Sequence, residues 1–114
     1  MAGIQRYFED ELTDEWREGR EAAIKVGRLR NHRSGTTERN DMKLPLWVAL
    51  DFQEQGVMRP QEITEDEWLR LVERYRHGRT RGGRTLAETS IKKRREGLIQ
   101  ILTGLHLGAI LEFV

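Results

Sequence analysis

The residues best suited to chemistry lie between positions 73 and 95, where nine basic and two acidic side chains give a net charge of +7. A loop rich in glycine and arginine precedes a stretch with three hydroxyl groups and four consecutive basic residues. Guanidinium forks, hydroxyls and the free N–H groups of a helix start are the groups that bind phosphate. We therefore predict a nucleic-acid-binding site formed by Arg79, Arg81, Arg84, Thr89, Ser90, Lys92, Lys93, Arg94 and Arg95.

A second basic segment covers residues 25–39 and has a net charge of +4. It predicts a secondary basic patch that consists of Arg28, Arg30, His32 and Arg33. The remaining segments are acidic, so the total charge of +1, from 20 basic and 19 acidic residues, is a cancellation between blocks. Charge that is arranged in blocks is evidence about the binding partners of a protein and not about its fold. The alternative is that the basic side chains pair with the acidic blocks after folding, which adds little stability.

The sequence offers little for catalysis, a metal or a cofactor, and we expect none of them. His32, His77 and His106 lie far apart, without the second histidine that a helical metal site carries three or four residues away. The chain has no cysteine, which excludes thiolate metal sites and cysteine nucleophiles. Gly82 and Gly83 lack the Lys-Ser/Thr ending of a phosphate-binding loop. We therefore expect a protein that is not an enzyme.

Length and hydropathy indicate one cytoplasmic domain. The chain has 114 residues, a length at which a hydrophobic core can form without disulfides. No apolar run approaches the roughly 18 residues that span a bilayer, and the first residues lack the apolar core of a signal peptide. We expect no membrane partner. We divide the predicted domain into a helical extension, residues 1–39, and a helical core, residues 40–114.

Local signals predict an all-α fold, a compact bundle of four to five short helices. Thr13, followed by two acidic residues, predicts a helix from Asp14 to Arg30. Thr64 and Glu67 form a capping box, which predicts a helix from Glu65 to Arg76. Elsewhere the sequence lacks the alternation typical of a strand. The apolar tail from Leu105 onward could form a final short helix or a strand. It could pack on the core of its own chain or form a two-fold interface.

Other boundaries follow from proline, glycine and a second capping box. Residues 31–37 have the composition of a loop, and Pro45 fits the first turn of a helix that stops at Gly56. Thr85 and Glu88 repeat the capping-box pattern and predict a further helix, on which the basic residues 92–95 point away from the apolar side. Each tryptophan begins an apolar stripe, which favours the core over base stacking for Trp16, Trp47 and Trp68. Tyr75, between two arginines, suits either stacking or its helix's buried face.

From about residue 44 to residue 110 the order of elements resembles the core-binding, SAM-like N-terminal domain of tyrosine recombinases and phage integrases. The matching features are a tryptophan-containing helix, LPLWVALDFQEQG, the acidic-capped helix EDEWLRLVERYRHG, and LAETSIKKRREGLIQIL, in which a Ser-Ile pair opens a basic helix. The resemblance implies a module that grips duplex DNA, with Thr89, Ser90, Lys92, Lys93 and Arg95 facing it. The 114 residues lack the Arg/His/Arg/Tyr constellation of the recombinase catalytic domain, so the resemblance implies DNA binding without cleavage.

Three hypotheses follow. The first is a non-catalytic DNA-binding protein of mobile-element or phage origin that contacts the phosphate backbone through the basic loop and helix. The second is a protein-interaction module or phage-type inhibitor whose acidic segment, Glu9 to Glu21, engages a nucleic-acid-binding host protein. The third is a small helical subunit of an RNA–protein complex, which would prefer RNA to DNA. The sequence leaves the base preference and the oligomeric state open.

Overall fold

The computed structural model describes residues 10–30, 35–81 and 83–114, and within them every side chain except those of residues 28–30 and 35–42. These residues form five α-helices, a 3-10 turn and no strand. The elements are α1 (Asp14–Arg30), α2 (Gly35–Glu54), the 3-10 turn (Pro60–Glu62), α3 (Glu65–Arg76), α4 (Glu88–Gly104) and α5 (Gly108–Leu111). They pack as one compact bundle with a Cα radius of gyration of 13.3 Å, which confirms the predicted all-α class.

Side-chain caps begin α1 and α3 at the predicted residues. The N–H of Trp16 donates to Thr13 Oγ1 at 3.2 Å, and the N–H of Glu67 donates to Thr64 Oγ1 at 3.2 Å. Each bond satisfies one of the N–H groups that a helix start leaves without an intrahelical partner. Both helices also end where the sequence predicts, at Arg30 and Arg76.

Helix α2 begins earlier than predicted. It starts at Gly35, so residues 35–37 are helical, and Pro45 lies inside the helix rather than in its first turn. An internal proline removes one backbone hydrogen bond and costs about 3 kcal/mol. Here the ring is fully buried, and α4 passes so close that a Cβ atom on Gly97 would lie 3.0 Å from the Pro45 nitrogen. Burial against α4 offsets the cost, and the predicted boundary at residues 39 and 40 falls within α2.

The predicted capping box at Thr85 does not form. Helix α4 begins at Glu88, and its cap residue, Ala87, makes no side-chain hydrogen bond. The N–H of Leu86 instead donates to the Tyr75 carbonyl at 2.9 Å, at the end of α3. This bond ties the segment before α4 to α3, and the helix starts only after it.

A row of aromatic rings joins the first three helices. Trp16 stacks on Phe52 with ring centroids 5.7 Å apart, and Phe52 meets Trp68 at 6.5 Å. The indole N–H of Trp16 donates to the Val57 carbonyl at 2.9 Å, which satisfies its polar atom inside the core. Trp16 and Trp68 are therefore core anchors, whereas Trp47 is only half-buried.

Small residues let α1 and α4 approach closely. A Cβ atom on Gly104 would lie 2.7 to 2.8 Å from the Cβ, carbonyl carbon and carbonyl oxygen of Ala22. A Cβ atom on Gly19, one turn earlier on α1, would lie 2.9 Å from the side chain of Ile101 on α4. The tail forms the short helix α5 and packs against the core, with Val114 buried.

Candidate nucleic-acid interface

The predicted phosphate-binding residues lie in the connection between α3 and α4 and in the first two turns of α4. The structure separates them into three groups by what each side chain contacts. One group pairs with carboxylates, one residue binds the main chain, and one group is exposed.

Four of the nine arginines and lysines in residues 73–95 pair with carboxylates. The guanidinium of Arg81 donates two bonds of 2.8 Å to the two oxygens of Glu11, and this contact holds the pKa of Glu11 below its ordinary value. Arg94 donates to Asp51 Oδ2 at 3.0 Å. The others are Arg74 with Glu54 and Arg76 with Glu88. The predicted alternative, pairing with acidic segments, therefore holds for Arg74, Arg81 and Arg94, whereas the partner of Arg76 lies within the basic segment itself.

Arg95 belongs to the second group. Its Nε donates to the main-chain oxygen of Val114 at 2.5 Å, which fastens the tail to α4. Arg94 thus faces the bundle and is half-buried, whereas Arg95 is exposed but has its Nε bonded to the tail.

The third group consists of basic side chains that are exposed and form no ion pair with any described residue. Its members are Arg79, Arg84, Lys92 and Lys93. At about 100° per residue, Thr89 and Lys93 point away from the buried Ile91 and Leu98, and Lys92 lies on the flank. Ser90 is half-buried. Glu96 shares the exposed side of α4, four residues beyond Lys92, but forms no ion pair within the described part of the chain.

A buried polar network lies behind Arg94, and the sequence gives no direct sign of it. The hydroxyl of Tyr75 donates to Asp51 Oδ2 at 2.6 Å, and the Arg94 guanidinium lies over the Tyr75 ring at 5.1 Å. Burial raises the pKa of Asp51, while the Tyr75 and Arg94 contacts oppose that rise. Burial and the Asp51 charge raise the pKa of Tyr75 well above its ordinary value. The one available signal was an aspartate within the apolar run LWVALDF.

The Tyr75 network predicts a loss of stability in alkali. The unfolded chain releases the tyrosine proton near its ordinary pKa of 10.0, whereas the folded chain keeps it. Stability should therefore fall as the pH rises above 10, by about 1.4 kcal/mol per pH unit for this group. Urea unfolding at pH 8 to 11, followed by circular dichroism, measures it. Tyr75→Phe should show a shallower fall, and equal slopes in the two proteins would contradict the prediction.

An open cleft of about 690 Å³ lies beside this network. Its walls come from α2, the connection between α3 and α4, and α4. They consist of Trp47, Leu50, Asp51, Thr80, Arg81, Arg84, Leu86 and Arg94. A smaller groove of about 320 Å³ lies along α3 and includes Arg79 and His77. The structure thus places Arg79 in one depression and Arg84 in another.

The other predicted features lie partly outside the described residues. The side chains of the secondary patch, Arg28, Arg30, His32 and Arg33, are not among them, nor is Glu9. The rest of the acidic segment is described, and Asp14, Glu18 and Glu21 are exposed on one side of α1. Asp14 pairs with Arg17 at 3.4 Å.

The described part of the chain contains no group of three histidine, aspartate or glutamate side chains placed to hold a metal ion. His77 pairs with Glu73, one turn earlier on α3, at 3.2 Å. None of the described helices is long and apolar enough to cross a membrane. No protein-family model matches the chain, and no curated protein or solved structure is significantly similar to it.

Proposed function

We propose that this protein is a non-catalytic DNA-binding protein that contacts the phosphate backbone through the α4 surface, defined as Arg84, Thr89, Lys92 and Lys93. The observation that carries the proposal is that its three basic side chains are exposed and form no ion pair with any described residue. Arg84 lies just before α4, and Lys92 and Lys93 lie in its second turn. Exposed cations of this kind are available to phosphate oxygens without first leaving a carboxylate.

The ion pairs reduce the number of phosphate contacts that the basic segment can make. To contact DNA, Arg81 and Arg94 would each have to leave a carboxylate and bind a phosphate instead. The number of charge-assisted hydrogen bonds would not increase. Four basic side chains remain when Arg79 is counted with the α4 surface. For four contacts to duplex DNA, log K should fall with log salt with a slope of about −3.6.

The resemblance of residues 44–110 to the core-binding domain of recombinases supports the same partner. In that family the module grips one face of the duplex, and the matching residues in this chain include Thr89, Lys92 and Lys93. Backbone contacts of this kind position a protein on DNA without selecting a sequence. The proposal therefore concerns affinity for the backbone.

Fluorescence anisotropy with a labelled duplex over a salt series tests the proposal. We expect a slope near −3.6 for the protein, and a slope smaller in magnitude by about 2 for the double variant Lys92→Ala/Lys93→Ala. Parallel titrations with single-stranded DNA and with RNA separate the DNA hypothesis from the RNA-subunit hypothesis, which a preference for RNA would favour.

The matched control is Arg17→Ala/Arg70→Ala, which also removes two positive charges but on the exposed sides of α1 and α3. It should leave the slope close to that of the unaltered protein. Absence of salt-dependent binding to any of the nucleic acids, or an equal loss in both double variants, would contradict the proposal.

The acidic side of α1 supports the protein-interaction hypothesis as a second candidate. Asp14, Glu18 and Glu21 are spaced by four and three residues, so they lie on one side of the helix. Glu18 and Glu21 form no ion pair with any described residue, which leaves their charges available to a basic partner. Capture of a protein from a nuclease-treated lysate, and its loss with Glu18→Gln/Glu21→Gln, would favour this candidate over DNA binding.

A further inference from the structure

The cleft between α2 and α4 has the size and the composition of a ligand site. Its volume of about 690 Å³ lies within the range of roughly 300 to 1,000 Å³ that is usual for small-molecule pockets. One wall is apolar, and the other carries three arginines and one aspartate. A ligand that fits both walls has a flat apolar part and an anionic part.

The apolar wall offers a surface for a flat ring. Trp47 and Leu50 are one turn apart on α2, and Leu86 belongs to the connection that crosses in front of them. Trp47 is half-buried, in contrast to Trp16 and Trp68, and it lines the cleft. Aromatic side chains of this kind stack on unpaired nucleic-acid bases.

The charged wall favours an anion. Arg81 is held by Glu11, and Arg94 is held by Asp51 and lies over the Tyr75 ring. Arg84 is exposed and has no ion pair within the described ranges, so its guanidinium is the group that can receive a phosphate in the two-pronged geometry that guanidinium favours. Because Arg81 and Arg94 are each paired with a carboxylate, the positive charge that the cleft offers to a ligand comes mainly from Arg84.

Asp51 supplies an acceptor at the base of the cleft. Its Oδ2 atom takes the bonds from both Tyr75 and Arg94, at 2.6 and 3.0 Å. Its Oδ1 atom takes no hydrogen bond from any described residue. A carboxylate oxygen in this position can accept a hydrogen bond from an N–H group on the edge of a base.

We propose that this cleft binds a nucleotide, with the base against Trp47 and Leu86 and the phosphate on Arg84. A free mononucleotide and an unstacked nucleotide of a single strand share this chemistry. A duplex does not, because its bases are paired and stacked. The cleft shares Arg84 with the α4 surface but uses Trp47 in place of Lys92 and Lys93. It can therefore take a nucleotide even when the protein has no affinity for duplex DNA.

Isothermal titration calorimetry with the full chain tests the site. The probes are the 5′-monophosphates AMP, GMP, CMP and UMP, the corresponding nucleosides, inorganic phosphate and a single-stranded octamer of mixed sequence. We expect one nucleotide bound per chain. Nucleoside and inorganic phosphate should each bind at least about tenfold more weakly, because each makes only one of the two contacts.

Three variants locate the binding. Arg84→Gln should weaken it by about tenfold or more through loss of the charged bond, and Trp47→Leu should weaken it through loss of the ring while an apolar side chain stays in place. Arg70→Gln, on the exposed side of α3 and outside both the cleft and the α4 surface, is the matched control and should leave it unchanged. Circular dichroism of each variant confirms that the fold is kept.

The outcomes separate the two sources and the two sites. Binding of a mononucleotide identifies a free nucleotide as the ligand, whereas binding of the octamer alone, weakened by Trp47→Leu and Arg84→Gln, identifies a nucleotide within a strand. If neither binds, or if Arg70→Gln weakens binding as much as Arg84→Gln does, the proposal is wrong. If the cleft binds no nucleotide but the protein still binds duplex DNA, and Trp47→Leu does not change that binding, the proposed function stands without the cleft.

Discussion

Replacing Arg94 by alanine should lower the free energy of unfolding by about 3 kcal/mol, the lower end of the range for breaking a buried ion pair. The side chain of Asp51 is only 7% exposed, whereas that of Arg94 is 23% exposed. The substitution leaves the Asp51 carboxylate inside the bundle with the Tyr75 hydroxyl and without its cationic partner. Urea unfolding at pH 7, followed by circular dichroism, measures the loss.

Lys93→Ala is the control for this experiment because Lys93 is the preceding residue and is exposed without an ion pair among the described residues. It should change the free energy of unfolding by less than about 0.5 kcal/mol. In an Asp51→Asn background the cost of Arg94→Ala should shrink, since the buried charge is gone. A cost unaffected by Asp51→Asn would contradict the pairing.

Replacing Gly104 by valine should lower the free energy of unfolding by about 3 kcal/mol, the upper end of the range for overpacking. The first added atom would lie 2.7 to 2.8 Å from the main chain and side chain of Ala22, so one of the two helices has to move. Thermal unfolding measures the effect, and the midpoint temperature should fall.

Gly108→Ala is the matched control because a Cβ atom there would meet nothing within 4 Å. We expect a change of less than about 0.5 kcal/mol for this variant. If both glycine substitutions cost the same, the cost belongs to glycine replacement in general and not to the close approach of α1 and α4.

Signals that act over a few residues predicted part of the fold correctly. Thr13 and Thr64 supplied hydroxyls to backbone N–H groups three residues away, and the helices that follow them have the predicted bounds. Pro45 misled the prediction of α2 because its local cost is offset by burial against Gly97, which lies 52 residues further along the chain. The reason for Gly19 in α1 is likewise a distant contact, its close approach to Ile101 of α4.

The candidate site was harder to predict for the same reason. Residues 92–95 carry like charges, and the sequence does not say which of them finds a partner. The turn of α4 directs Arg94 inward, 43 residues from Asp51, and Arg95 toward the tail. The sequence therefore shows how many basic residues the segment has. It does not show how many of them stay available to a ligand, because that number depends on contacts between segments that are distant in sequence.

The close contact between Ala22 and Gly104 also bears on how the chain folds. The two residues are 82 positions apart, so the seam between α1 and α4 forms only when a long loop closes. Contacts between distant segments slow folding because a long loop has to close before they give any stabilisation. During synthesis, α1 and α2 can pair through Trp16 and Phe52 before α4 has been made. The side of α1 that carries Gly19 and Ala22 stays uncovered until then. Because α4 follows α1 in the chain, it leaves the ribosome later and completes the packing of α1.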